Sequence, residues 1–474
     1  MNKKYLFLII IVFLLFHFFF FTARHHEIHW DEAVYIGMGK YVYSLGSQGL
    51  FESIRPLGLP LLLGFLWKLG LGVYSYKTLI LLFGCGTLFL TYKIAELTIS
   101  KDSACYAALL LAITPFFVHG SFSILTEMPA TFFILLTLFL LIKKKHPLLV
   151  GVTASVVFLF KFPAGIILFA VVLIILMQTK LKKILSKRSP LLYVIIGFIL
   201  VQIPFFIINY IFYRKYTSGW FDAIFRPLLL AGKHANNMVH SIDGSLQNIL
   251  YYNVETVMNN SLLIFAYLGL IFIMINKQTR KKMHYYLIPA ILLVGYFTFI
   301  VNKQLRFAIL FVPFCAILAG YGINLTINKI HDWTKTRKFI LVAILLIVAS
   351  YSLYPNFVDV YRFYPTEELD IEREYYYYFD NNPSTILTTE PYFTAYSDNV
   401  LAIPFYDNPD EAVKIYDEYK DDVDYIVFNS DFYPCSDDDC MEKIDYLGQD
   451  IKANNELVYE KEWYGNDRII FSTK

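Results

Sequence analysis

The sequence predicts a polytopic α-helical membrane protein of about eleven spans followed by a C-terminal extracytoplasmic α/β domain. Three observations point there. Of the 474 residues, 57% are hydrophobic, 18% aromatic and only 17% charged, whereas a soluble chain is about a quarter charged. Uncharged apolar runs approaching the ~20 residues that cross a bilayer recur throughout the first 355 positions. The net charge of +2 also conceals a split. Residues 356–474 hold 28 Asp+Glu against 9 Lys+Arg, which leaves 11 acids and 32 bases for residues 1–355. A basic membrane domain (1–355) and an acidic soluble domain (356–474) are therefore expected. The acidic tail would be repelled by an anionic membrane surface, and no basic nucleic-acid surface or solenoid repeat is present.

The apolar runs lie at 5–21, 78–98, 104–118, 125–142, 147–160, 162–178, 190–212, 261–276, 285–301, 307–325 and 339–355. The first has a short basic start but ends in Ala23-Arg24-His25-His26, a poor cleavage context, so it reads as an uncleaved span. Basic clusters at 3–4, 143–145, 180–188, 277–282 and 329–338 all fall on one side of an eleven-span arrangement. The positive-inside bias makes that side the cytoplasm. The chain is then a multi-pass protein of the cell membrane, with its N-terminus cytoplasmic and its tail outside. Cys85, Cys105 and Cys315 sit in apolar runs as small hydrophobes. In an extracytoplasmic tail, Cys435 and Cys440 could close a small disulfide loop.

The first outer loop, 22–75, carries more than a connection. Val34, Met38, Tyr41, Val42 and Leu45 recur at helical spacing before Gly46. Residues 60–69 form a second apolar segment, and both read as helices on the membrane surface. The second outer loop, 213–260, contains Trp220, Arg226 and Pro227 and is long enough to be functional. In the tail, strands are expected at 386–389, 400–405, 425–429, 457–463 and 468–472, with helices at 409–419 and 438–454.

Eight of the eleven acids of the membrane part fall at or beyond the outer face, so chemistry is sought there. Asp31 and Glu32 directly follow the first span, at the start of the expected surface helix. The bland reading is an acid pair favoured by the helix dipole; the functional one is catalytic. Glu127, at the start of a span before Pro129, is a polar cap or a second carboxylate of an outer cavity. Lys161 interrupts Phe158-Leu159-Phe160-Lys161-Phe162-Pro163, Arg306 lies between two spans, and Arg55 precedes Pro56; each could instead snorkel to the interface. His25, His26 and His29 are candidate metal ligands, though loop histidines are more often solvated. One reaction suits this set. A sugar on a lipid phosphate already has a good leaving group, so the chemistry needs a base for the acceptor proton and cations for the phosphate. Asp31 as base, with Arg306 and Lys161 on the phosphate, meets that need. A transporter or lipid flippase, with paired broken helices and midplane charge, and a sensory protein with a partner-binding tail are the competing readings.

The same patches resemble GT-C fold glycosyltransferases, of the protein O-mannosyltransferase class (family 39) and the related lipid A aminoarabinose transferases. Asp31-Glu32-Ala33-Val34-Tyr35 matches their Asp-Glu motif, Arg55-Pro56-Leu57-Gly58-Leu59-Pro60 their Pro-rich second segment, and Thr126-Glu127-Met128-Pro129 an acid-Met-Pro span start. Phe160-Lys161-Phe162-Pro163 resembles a Thr-Lys-Gly-Pro pattern with Phe for Thr and Gly. Leu305-Arg306-Phe307 with Pro313 resembles a later Arg-Tyr and Pro. The resemblance implies a GT-C fold and a hexosyl- or pentosyl-transferase of the cell envelope. Its donor would be a polyprenyl- or dolichyl-phosphate sugar, such as dolichyl phosphate mannose, and its acceptor a protein, lipid or glycan on the outer face. It implies Asp31 as base, Glu127 as the acid of the later motif and Arg306 as donor-phosphate ligand; Glu32 is added as a further catalytic acid, and Lys161 and Arg55 as further phosphate ligands, from the residues themselves. Some relatives bind a divalent metal ion and others do not, so the resemblance leaves a metal open.

Overall fold

The structure is a computed structural model that describes residues 3–24, 28–52, 55–179, 189–213, 245–300, 303–329, 347, 351, 354, 374–406, 409–430, 433, 435, 438–463 and 466–473. Several expectations lie outside the described residues: His25 and His26, Trp220, Arg226 and Pro227, the cluster 180–188, and nearly all of the run 339–355.

In chain order the elements are α1 (Lys3–Arg24), α2 (Trp30–Tyr43), β1 (Gly49–Leu50), α3 (Gly58–Lys68), α4 (Val73–Thr98), α5 (Lys101–Ala112), α6 (Pro115–Gly120), α7 (Glu127–Ile142), α8 (Pro147–Phe160), α9 (Ile167–Gln178), α10 (Pro190–Tyr213), α11 (Ser245–Asn259), α12 (Phe265–Ile275), α13 (Lys277–Arg280), α14 (His284–Phe299) and α15 (Val312–Lys329). There follow β2 (Ser384–Thr388), α16 (Tyr392–Tyr396), β3 (Val400–Pro404), α17 (Pro409–Tyr419), β4 (Tyr425–Val427), α18 (Asp438–Asn454), β5 (Glu456–Trp463) and β6 (Asn466–Ser472). Two compact units result. One comprises residues 1–25, 73–208 and 219–362; the other comprises 26–72, 209–218 and 363–474.

The first unit is helical, and ten of the eleven expected apolar runs coincide with its helices; of the eleventh, 339–355, only residues 347, 351 and 354 are described. Among the described residues, α4 and α10 alone have the length and apolarity to cross a membrane unaided, and seven helical segments of the chain are shorter and apolar. Short 3-10 segments explain part of the shortening. They stand at Phe162–Ile166, Ser261–Ile264 and Leu305–Leu310, and Pro163 removes a backbone donor at the first of them. Helix α15 packs against α5, α12, α4 and α14. Its Gly320 lies where an added Cβ would meet the Ser103 carbonyl at 2.5 Å and the Ala107 nitrogen at 2.6 Å. Small residues thus set the helix spacing where apolar burial against lipid offers no preference.

The second unit is built on a six-stranded sheet of order β1-β3-β2-β4-β6-β5. β1, β3, β2 and β4 pair in parallel, while β6 and β5 run antiparallel to what precedes them. Parallel neighbours require crossovers, which α16 and α17 supply. Leu387, Phe405, Ile426 and Phe471 from the strand side bury against Ala412 and Tyr416 of α17 and Ile444, Leu447 and Ile451 of α18. A disulfide joins Cys435 to Cys440. The five tail strands lie where alternation placed them; the sixth, β1, was not expected.

Strand β1 changes the division of the chain. Gly49 and Leu50 pair with Leu401 and Ala402, so the loop 26–72 belongs with the tail rather than with the expected 1–355 domain. The reading of α2 as a helix lying on a membrane surface is corrected accordingly. Ten of its residues are buried, packed on α3, α16 and β1. Lys40, only 3% exposed, bonds Asp398 at 2.7 Å and the Ser397 carbonyl at 3.0 Å. Burial lowers its proton affinity, partly offset by Asp398. The Trp67 indole donates to the same Asp398 at 2.9 Å, tying α2 and α3 to the turn after α16. Helices α2 and α3 touch backbone to backbone: a Cβ on Gly39 would lie 2.6 Å from the Pro60 carbonyl and 2.8 Å from the Gly64 nitrogen. Because the obstacle is backbone, Gly39→Val is expected to cost about 3 kcal/mol of stability. A melting curve of the purified protein reads this; an unchanged midpoint would contradict the close packing.

Candidate functional site

Two groups of charged side chains carry the candidate residues, one in each unit. In the helical unit, Glu127 is the first residue of α7, where the helix dipole favours a carboxylate. It is only 2% exposed, and its Oε1 lies 2.8 Å from Lys161 Nζ and 3.7 Å from Arg306 Nε. Lys161 reaches it because α8 ends at Phe160. Lys161 itself adopts an extended backbone (φ −152°, ψ 108°) before the Phe162–Ile166 turn. Arg306 comes from the Leu305–Leu310 turn, which Thr131 Oγ1 ties to α7 by donating to the Ile309 carbonyl at 3.2 Å. The Phe307 ring lies beneath both cations, 4.5 Å from Lys161 Nζ and 5.6 Å from Arg306 Cζ. Two cations thus face the one Glu127 carboxylate, which fixes their geometry. Such an arrangement can hold an anion whose charge grows during a reaction.

In the second unit, Asp31 lies in the first turn of α2, with its side chain 19% exposed. Arg55 Nη1 bonds Asp31 Oδ1 at 2.5 Å and Arg55 Nε bonds Glu52 Oε1 at 2.8 Å. Tyr406, from the segment after β3, donates to Glu52 Oε2 at 2.7 Å. A continuous line of bonds therefore runs Tyr406–Glu52–Arg55–Asp31. Burial opposes the Arg55 charge, but Glu52, Tyr35 and Asp31 raise its proton affinity further above that of a free guanidinium, so it stays cationic. Trp30, next to Asp31, meets the Tyr406 ring edge-on at 4.9 Å and the Tyr392 ring at 5.9 Å.

The structure thus brings Glu127, Lys161 and Arg306 together, and Asp31 with Arg55. Glu32 is placed differently. It is 1% exposed, and its Oε2 accepts the backbone N–H of His29 at 3.1 Å, which caps its own helix. The acid three residues after the cap position is a sequence signal for this use. Arg55, expected on the donor phosphate, has its donors directed to Asp31 and Glu52. Sequence reasoning assigned no role to Glu52 or Tyr406.

Among the described residues, no three His, Cys, Asp or Glu side chains form a metal-holding group. Glu127, Asp31 and Glu52 are each already faced by a resident cation, which opposes a second one. The described residues therefore do not fit a bound divalent ion, and no step is routed through one.

Comparison with known proteins bears on the fold. The family model for dolichyl-phosphate-mannose-protein mannosyltransferase matches residues 55–208. Among solved structures, ArnT from Cupriavidus metallidurans bound to undecaprenyl phosphate aligns over 100% of this chain and 99% of its own, with a TM-score of 0.68 at 13% identity. The archaeal oligosaccharyltransferase AglB from Archaeoglobus fulgidus, in complex with an inhibitory peptide and a dolichol-phosphate, aligns over 98% of this chain and 74% of its own. Its TM-score is 0.55 at 12% identity. No curated protein matches by sequence. The family model covers the stretch that carries the Arg55–Pro60, Thr126–Pro129 and Phe160–Pro163 patches, and the chain has the fold shared by these solved structures.

Proposed function

We propose that the protein is a membrane glycosyltransferase that moves a sugar from a polyprenyl- or dolichyl-phosphate donor to a protein, lipid or glycan acceptor on the outer face. Arg306 and Lys161 take the donor phosphate, whose negative charge grows as the sugar departs, and Glu127 pins both cations. Asp31 is the base for the acceptor proton, oriented by Arg55 and Glu52. The donor phosphate needs no general acid, which suits a set with one partly exposed carboxylate and one buried among cations.

The observation that carries this reading is the pair of cations fixed by one buried carboxylate, on a fold whose solved neighbour holds undecaprenyl phosphate. The test is transfer from a labelled polyprenyl-phosphate sugar to protein, lipid and glycan acceptors by the purified chain. Labelled product on any acceptor supports the proposal. Movement of the intact donor across a vesicle membrane, with no product, would establish the flippase reading instead.

Tyr406 acts on Asp31 only through Glu52 and Arg55. Tyr406→Phe is expected to lower kcat about three- to tenfold, the worth of one hydrogen bond, with donor KM unchanged. A fall in melting temperature without that kcat change would make Tyr406 merely structural.

A further inference from the structure

We propose that a second site, a cavity of about 760 Å³ in the helical unit, binds the phosphate head of an anionic membrane lipid. It is separate from the Glu127 group, and its size is that of an ordinary ligand pocket. Lys144 and Lys145 reach it from the turn after α7, where Lys144 adopts a left-handed backbone (φ +51°). Lys281 and Lys282 reach it from the turn between α13 and α14, and Lys282 Nζ is held by the Leu97 carbonyl at 2.7 Å. All four lysines are exposed. No Asp or Glu stands among the described lining residues, so four like charges face the cavity with no carboxylate on its wall. A phosphate is the counter-charge that such a wall lacks.

The other wall decides which phosphate. Val150, Ile175 and Val194 line the cavity, and all three belong to a buried apolar cluster of α8, α9 and α10. A free anion would use the lysines and leave this surface wet, whereas an amphiphile satisfies both. The two lysine pairs also come from two of the basic clusters that charge bias assigns to the cytoplasmic side. Basic pockets between helices at that face are suited to acidic lipid head groups. The commitment is thus to a lipid phosphate, with free phosphate as the alternative to be tested.

The experiment measures retention of fluorescent phosphatidylglycerol by the purified full chain in detergent, with phosphatidylcholine as the comparison. Phosphatidylglycerol is expected to bind at least tenfold tighter. The pair variants K144Q/K145Q and K281Q/K282Q should each weaken it, by about fivefold per lysine. The two pairs stand on different turns, so failure of one to fold leaves the other to decide, with melting in phosphatidylcholine as the check. Folded variants that retain phosphatidylglycerol like wild type would overturn the site. Displacement of the lipid by inorganic phosphate at equal concentration would overturn the lipid assignment. Asp31→Asn should bind phosphatidylglycerol normally, so failure here and failure of the transfer reading are distinguishable.

Discussion

Asp31→Asn is expected to lower the rate of sugar transfer by about 10²–10⁴, the usual worth of a positioned base, without altering donor affinity. Asn matches Asp in shape and its Oδ1 still accepts from Arg55 Nη1, so the Asp31–Arg55 bond need not be lost. What goes is the ability to take a proton. The signature is therefore a fall in kcat at constant donor KM. Glu32→Gln is the internal control. Its carbonyl oxygen can still accept the His29 N–H that Glu32 now accepts, so transfer should stay near wild type, while Glu32→Ala should cost about 1 kcal/mol of stability through the lost cap. A Glu32→Gln variant as inactive as Asp31→Asn, or an active Asp31→Asn, would overturn the assignment of the base. The two adjacent acids are separated by what each faces: Asp31 is partly open and paired with a guanidinium, and Glu32 is buried against its own backbone.

How far this arrangement was legible in the sequence depends on the range of the contact. The helices followed from apolar runs, because a chain in lipid must satisfy its backbone locally. The tail strands followed from alternation. Strand β1 has only two residues, Gly49 and Leu50, and no periodicity can register in so short a segment. Nothing local marks Lys40 for burial; its pairing with Asp398, 358 positions away, makes that burial tolerable. Tyr406 and Glu52 are likewise 354 residues apart; nothing local marks either as part of the Asp31 group. The Glu127, Lys161 and Arg306 set was found as three unusual charges in apolar surroundings. Its internal division, with the carboxylate buried and the cations partly open, rests on the helix breaks at Lys161 and Leu305–Leu310 that bring the cations to one residue. The capping use of Glu32 is within reach of its i+3 spacing from His29.

The same division predicts that the three residues of the helical group respond unequally. Arg306, at 31% exposed the most open of them, should contribute mainly to the donor. Arg306→Ala is expected to raise donor KM roughly 10–150-fold, the range for a hydrogen bond to a charged group, with a small change in melting temperature. Arg306→Lys should recover only part of this, since an ammonium lacks the planar fork that grips phosphate. Glu127→Gln should behave otherwise. Glu127 is almost wholly buried and 2.8 Å from Lys161, so its loss removes the buried carboxylate that Lys161 faces at that distance. Breaking one side of a buried pair costs about 3–5 kcal/mol, which should appear first as lost stability and only second as lost donor binding. Excess polyprenyl phosphate should then restore part of the Glu127→Gln melting temperature, because the ligand supplies the missing negative charge to Lys161 and Arg306. It should restore none for Arg306→Ala, in which Glu127 still neutralises Lys161. Equal rescue of the two variants, or none of Glu127→Gln, would mean that the phosphate does not bind at these cations.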